Sequence, residues 1–245
     1  MHDSDDLANR LVYHYEIKQR IASLAVADVQ DGETLMIESG SCCALVALEI
    51  AKTKKNVTVI TNSAFIADYI RKQGTLQIIL LGGEYQQSSQ VMVGPMTRRC
   101  MEPFYVDKLF IGTDGFTADS GFTGNDYMRS ETVRDMAQQA NHVIVVTEST
   151  KFSQKGLVHL IDTGHIHMVV SDDRIPEECE QYLTEQGVEV KKSEGIKKGA
   201  SAPKRNNQYP DSGRFADNLL NLPDTGLFYA SFHSRDSAFH ILFAN

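Results

Sequence analysis

The sequence predicts an α/β domain: a mostly parallel sheet with helices on both faces. Three observations point there. Short apolar runs alternate with stretches of helical period as far as Glu194. The runs are continuously apolar and rich in β-branched residues, as strands covered on both faces must be. Several of them end in short loops of Gly, Ser, Thr and Asn just before the next helix, the layout of successive βαβ units.

The first helical stretch runs from Glu16 to Val29, where Ile17, Ile21, Leu24, Ala25 and Val29 recur on one face and Gly32 follows the end. Thr34 to Ile37 is strand-length and apolar. It breaks at Glu38-Ser39-Gly40-Ser41 and leads into a helix from Cys42 to Ala51. Asn56 to Thr61 reads as a buried strand carrying Val57, Val59 and Ile60. Asn62-Ser63 ends it before a helix from Ala64 to Lys72. Leu76 to Leu81 is the third strand, closed by Gly82-Gly83.

The second half repeats the pattern. Lys108 to Gly112 is a strand, followed by a glycine-punctuated segment from Gly115 to Gly124. Tyr127 to Ala140 is helical, and His142 to Thr147 and His167 to Ser171 are strands. Ile175 to Gln186 is a helix with Pro176 suited to its first position, and Val188 to Val190 is an edge strand.

The expected organisation is a frayed N-terminal segment over residues 1–15, one α/β domain over 16–194, and a linker with a poorly ordered or foreign tail over 195–245. Gly195 to Gln208, rich in Lys, Gly, Ser, Ala and Pro, has linker composition. A small docking segment is the alternative reading of that tail.

A net charge of −8 and a pI near 5.5 argue against direct binding to a nucleic-acid backbone, which is won by Lys and Arg neutralising phosphates. Cys42, Cys43, Cys100 and Cys179 show no metal-ligand spacing, so free thiols in a reducing cytoplasm are expected, without metal or cofactor. No apolar run approaches the roughly 18 residues of a membrane span.

In an open parallel sheet, ligands bind beyond the carboxyl ends of the strands. Glu38-Ser39-Gly40-Ser41 offers hydroxyls, a glycine for close backbone approach, and the amides of a helix start. An ordinary serine cap is the plain alternative. Thr61-Asn62-Ser63 and Gly82-Gly83 end the next two strands with similar chemistry. Thr113-Asp114-Gly115 follows the fourth strand, and Lys151 follows the fifth, as a point charge for a phosphate or as a solvated lysine.

The blocks IESGSCCALVALEIA, NVTVITNS, LLGGEY and VDKLFIGTDGFTADSGFTGNDYMRSETVRDMAQQANHVIVVTESTKF, in this order, resemble the C-terminal sensor domain of DeoR-type repressors from about Glu16 to about Lys191. The resemblance implies the α/β fold shared with ribose-5-phosphate isomerase, glucosamine-6-phosphate deaminase and CoA transferases. It implies a phosphorylated sugar or sugar alcohol as effector, a homo-oligomer, and repression of a sugar operon through a helix-turn-helix. The stretch before Glu16 is too short for that reader. Carried over by residue, Ser39, Gly40 and Ser41 would cradle the phosphate. Asn62, Gly83, Asp114 and Lys151 would line the pocket, and Asn125 and Glu131 would reach the sugar hydroxyls. Cys42, Gly82 and Gly115 complete the candidate set. Cys42 and Cys43 stand where family members commonly have Thr, and Glu148 and Thr150 replace the usual Asp and Ser.

The alternative is an isomerase-like enzyme on the same fold. Aldose–ketose isomerisation needs a carboxylate base placed to move a proton between adjacent carbons. Asp114 resembles part of that pattern, but the glycine-rich stretch bearing the isomerase's glutamate has no counterpart here, so no catalytic residue is assigned.

Overall fold

A computed structural model describes residues 7–194. The expectations for residues 1–6 and for the linker and tail from 195 lie outside the described residues.

The centre is a seven-stranded, wholly parallel sheet. Its strands are β1 (Thr34–Ile37), β2 (Thr58–Thr61), β3 (Gln77–Leu80), β6 (Val106–Ile111), β9 (Ala140–Val146), β11 (Met168–Asp172) and β12 (Glu189–Ser193). The order across the sheet is β12-β11-β9-β6-β1-β2-β3. Two smaller sheets complete the described residues: the hairpin β4 (Glu84–Gln86) with β5 (Val91–Val93), and an antiparallel trio of β7 (Gly115–Thr117), β8 (Gly121–Gly124) and β10 (Val158–Ile161). The helices are α1 (Leu7–Val12), α2 (Tyr15–Val26), α3 (Ser41–Thr53), α4 (Ala64–Ile70), α5 (Pro95–Met101), α6 (Tyr127–Ala137) and α7 (Glu177–Glu185).

The unbroken apolar strands follow from burial on both faces. Successive side chains of a strand point to opposite sides. Leu35, Ile37, Phe110, Ile144 and Val146 therefore join one core with Ile21 and Ala25 of α2 and Val46 and Ile50 of α3. Met36, Leu109, Ile111, Val143 and Val145 join the other, with Met101 of α5, Val133 and Met136 of α6, Leu183 of α7 and the phenylalanines 116, 122 and 152. Each fully buried aliphatic or aromatic side chain contributes about 1.5–3 kcal/mol of transfer free energy, so alternation with polar residues would be costly on either face.

Several details differ from the sequence reading. Within the N-terminal segment expected to be frayed, residues 7–12 form α1, with Leu7 and Leu11 buried. A short helix with two apolar anchors gives little periodic signal. β3, read as a buried strand, is an edge strand bonded only to β2, and Leu80 is 44% exposed. Strand composition does not reveal which strand ends a sheet. The hairpin β4–β5, α5 and β10 carry no assignment in the sequence reading, because three- and four-residue strands and a seven-residue helix are too short to show a period. Pro176 stands just before α7 rather than inside it. All four cysteines are free thiols, as expected. No helix among the described residues is long and apolar enough to cross a membrane.

Candidate functional site

The chain builds the sheet outward from β1 through β2 to β3, then returns to β6 on the other side of β1 and continues outward through β9. The connections from β1 and β6 therefore leave in opposite directions. A crevice opens at their carboxyl ends, as at any topological switch point. There the structure has a cleft of about 1160 Å³. β1 supplies Glu38, Ser39 and Gly40, β6 supplies Gly112, Thr113 and Asp114, and the segment after β9 supplies Thr147, Glu148, Thr150 and Lys151.

The first turn of α3 faces this cleft with Ser41 and Cys42. Gly40 precedes the helix and offers no side-chain cap. The first intrahelical bond runs from the Ala44 N–H to the Gly40 carbonyl at 2.8 Å, so the amides of Ser41, Cys42 and Cys43 have no acceptor within the helix. Amides and helix dipole together favour an anion here. Burial, and then the Glu148 charge, push the Cys42 thiol up to about 12, while Lys18, Arg10 and Lys151 pull it down. Cys42 is thus a small neutral side chain, not a nucleophile.

Lys151 sits on a 3-10 turn, Ser149–Lys151. That turn is anchored where the Ser149 N–H donates to Asp172 Oδ2 at 2.8 Å. Burial alone would raise the Asp172 carboxyl, but the hydrogen bonds from Ser149 and Arg174 outweigh it and hold it low. Asp172 therefore stays charged and keeps the lysine turn in place.

Also in the cleft wall, Glu38 is buried, with Arg129 Nη2 at 3.5 Å. Burial raises its carboxyl against the opposing pull of Arg129 and the Gly112 amide. Arg129 Nε is buried without a partner among the described residues. Asp114 Oδ2 accepts the Asn125 N–H at 2.9 Å, and Asp126 Oδ1 caps α6 by accepting the Arg129 N–H at 2.8 Å. Gln86 of the β4–β5 hairpin lies 3.3 Å from Asp126 Oδ2. These residues present carboxylates and amides, suited to hydroxyl groups.

Of the sequence candidates, Ser39, Gly40, Ser41, Cys42, Asp114, Asn125 and Lys151 line the cleft. Asn62, Gly82, Gly83, Gly115 and Glu131 do not, and all but Gly82 have another structural task. Asn62 fastens the hairpin: its Nδ2 donates to the Met92 carbonyl at 3.0 Å, and its own carbonyl accepts the Met92 N–H at 2.8 Å. A Cβ on Gly83 would lie 1.8 Å from Thr97 Oγ1 of α5, so this glycine permits close packing. Gly82 faces the Cys100 sulfur, where a Cβ would sit at 3.6 Å. A Cβ on Gly115 would approach the Gln154 carbonyl to 2.4 Å. Glu131 accepts the Tyr127 hydroxyl at 2.8 Å, while Arg129, Ser130 and Val133 of the same helix are the ones that face the cleft. The common cause for the first three is topological: β2 and β3 lie outboard of the switch point.

Sequence reasoning missed Arg10, His14, Lys18, Gln86, Asp126 and Arg129 as lining residues. Two of them left a signal. Lys18 stands on the buried face of α2 with Ile21, Ala22 and Ala25. Arg129 precedes Thr132, Val133 and Met136 on the buried face of α6. A cation on an apolar stripe needs a partner, and both find one at the cleft.

The sequence profile of the DeoR C-terminal sensor domain matches residues 13–173. Among curated proteins, the putative aga operon transcriptional repressor of Escherichia coli O157:H7 is 28% identical over 174 residues, covering 71% of this chain and 64% of the relative. The glycerol-3-phosphate regulon repressor of Escherichia coli K12 is 26% identical over 175 residues, covering 71% and 69%. The chain thus spans about two thirds of the length of these relatives. Among solved structures, eIF2B beta from Chaetomium thermophilum aligns at TM-score 0.48 and 14% identity, over 64% of this chain and 48% of that one. Ribose 5-phosphate isomerase from Plasmodium falciparum aligns at TM-score 0.40 and 17% identity, over 56% and 52%. The profile match runs from the loop before α2 through β11, taking in every strand that forms the cleft, and the chain belongs to the family of DeoR C-terminal sensor domains.

Proposed function

We propose that this domain is the effector sensor of a transcriptional repressor of a sugar-utilisation operon, and that its effector is a phosphorylated sugar or sugar alcohol held in the cleft between β1, β6 and β9. The observation that carries the reading is the open first turn of α3. Its amides and the hydroxyls of Ser39 and Ser41 meet the cleft that Lys151 lines from the opposite loop. The phosphoryl group binds there, and the hydroxyls reach Asp114, Asn125, Asp126 and Gln86. Operator DNA is read by a helix-turn-helix, not by this acidic domain, and the repressor works as a homo-oligomer.

The relatives bear the names of transcriptional regulators, and we infer that the domain is not an enzyme. The acids proposed to face the sugar are already engaged, Asp114 by the Asn125 amide, Asp126 by the Arg129 amide and Glu38 by the Arg129 guanidinium. No isomerase turnover is expected with any sugar phosphate tried. Turnover that Asp114→Asn abolishes would overturn this part.

Thermal unfolding with glycerol 3-phosphate, ribose 5-phosphate, fructose 6-phosphate and glucitol 6-phosphate tests the reading. At a hundredfold excess over Kd, a ligand that binds only the native state adds about 2.7 kcal/mol. For a domain of this size that is a rise in Tm of roughly 5–10 °C. Lys151→Ala and Ser41→Ala should each weaken binding about tenfold, the worth of one charge-assisted hydrogen bond, without lowering the ligand-free Tm appreciably. If none of the four compounds moves the Tm, the domain is not a sugar-phosphate sensor.

A further inference from the structure

α1 and the start of α2 contribute Asn9, Arg10, Tyr13, His14 and Lys18 to the wall of the cleft. The way they are held is unusual. Lys18 is only 3% exposed. Its ammonium donates to the carbonyls of Arg10 and Tyr13, both at 2.6 Å, and lies 3.5 Å from Glu148 Oε2. Two of its donors are therefore used on carbonyls, and its charge faces Glu148. His14, at the elbow between the helices, holds a left-handed φ of 54° and hydrogen-bonds Glu148 Oε1 through Nδ1 at 2.6 Å. Glu148 thus grips both sides of the elbow from the end of β9.

Arg10 is different. It is half-buried, lines the cleft, and makes no ion pair among the described residues. Arg10, Lys18 and Lys151 all act on the Cys42 thiol in the first turn of α3, with Glu148 the one acid set against them. Three cations thus reach the first turn of α3, where they would attract a bound anion. α1 itself has six residues, too few to persist by its own hydrogen bonds. Its anchors are Leu7, Leu11 and the Lys18 bonds at its end.

We propose, resting on the effector reading above, that Arg10 is a phosphoryl-binding residue delivered by α1, so that filling the cleft fastens this helix across its mouth. The ligand then joins three separate pieces of chain: the first turn of α3, the Lys151 turn and α1. Lys18 and His14 hold the elbow in place but leave Arg10 free to reach. The segment before Tyr15 becomes the part of the domain whose order reports occupancy, the differential between two states that effector control requires.

Hydrogen exchange on the full chain, with and without inorganic phosphate at tens of millimolar, tests this. Phosphate should slow exchange of the amides of residues 7–15 several-fold. Arg10→Gln should weaken phosphate binding about tenfold and remove that slowing, with the phosphate-free Tm unchanged, whereas Arg10→Lys should retain part of both effects. If phosphate raises the Tm in a Lys151-dependent way but residues 7–15 exchange as before and Arg10→Gln binds like the parent, the inference fails and the site reading stands. If phosphate and the sugar phosphates all leave Tm and exchange unmoved, both fail together. Arg10 is half-buried and outside the core, so its variants fold even where a Lys18 variant would not.

Discussion

Arg129→Met should lower the unfolding free energy by about 3–5 kcal/mol at pH 7.5, because removing one partner of a buried ion pair strands the other charge. Glu38 is the group left behind: buried, 3.5 Å from the lost guanidinium, with the Asp114 charge nearby. Its carboxyl already lies above the ordinary value of 4.5, chiefly through burial and against the pull of Arg129. Without Arg129 it rises further. A carboxyl raised by folding contributes its full stability below the unfolded pKa and loses it as pH climbs through the folded value. The cost of Arg129→Met should therefore be largest near neutrality and shrink as the pH falls toward about 4.5. Glu38→Gln combined with Arg129→Met should recover most of the loss at pH 7.5. Urea unfolding of the parent, Glu38→Gln, Arg129→Met and the double variant at pH 5 and pH 7.5 decides it. A loss that is the same at both pH values would mean that Arg129 acts through packing and not through the Glu38 charge.

Gly83→Ala should destabilise the fold by about 1–3 kcal/mol or somewhat more, the range for forcing an extra carbon into a packed interior. The new Cβ would stand 1.8 Å from Thr97 Oγ1, 2.9 Å from the Val93 carbonyl and 3.1 Å from Thr97 Cβ. Thr97 is fully buried, and its hydroxyl has no hydrogen-bond partner among the described residues. Thr97→Ala in the same chain removes the closest atom and should restore part of the loss, which a double-mutant cycle reads as a favourable coupling. Sugar-phosphate affinity should be unchanged in Gly83→Ala, since Gly83 does not line the cleft. Lost affinity in a fully folded Gly83→Ala protein would return this glycine to the binding site.

These two residues mark how far sequence reading goes. The fold class was legible because it rests on local pattern: strands such as Leu35-Met36-Ile37 are apolar on both sides, and α2 repeats its apolar residues every turn. The Gly40 loop lines the cleft, as read, because it ends β1, a strand that flanks the switch point. Gly83 looked the same, a glycine at a strand end, yet it serves the packing of α5, a helix that no periodicity had shown. Arg129 was overlooked because a charged residue in a helix usually faces water, and its acid partner lies just after β1, far away in the chain.

The sequence by itself determined which segments become strands and helices, that both faces of the sheet are covered, and that an anion-friendly turn opens α3. Those are consequences of short-range free energies: dihedral preference, apolar period, and amides left over at a helix start. Only the tertiary structure decided which strand ends share a cleft. The placement of β6 beside β1 brings Asp114, Lys151 and Arg129 to the Gly40 turn and leaves Asn62 and Gly83 outboard. Strand order is settled by how the covering helices pack and by the direction of each crossover, and no single loop records it.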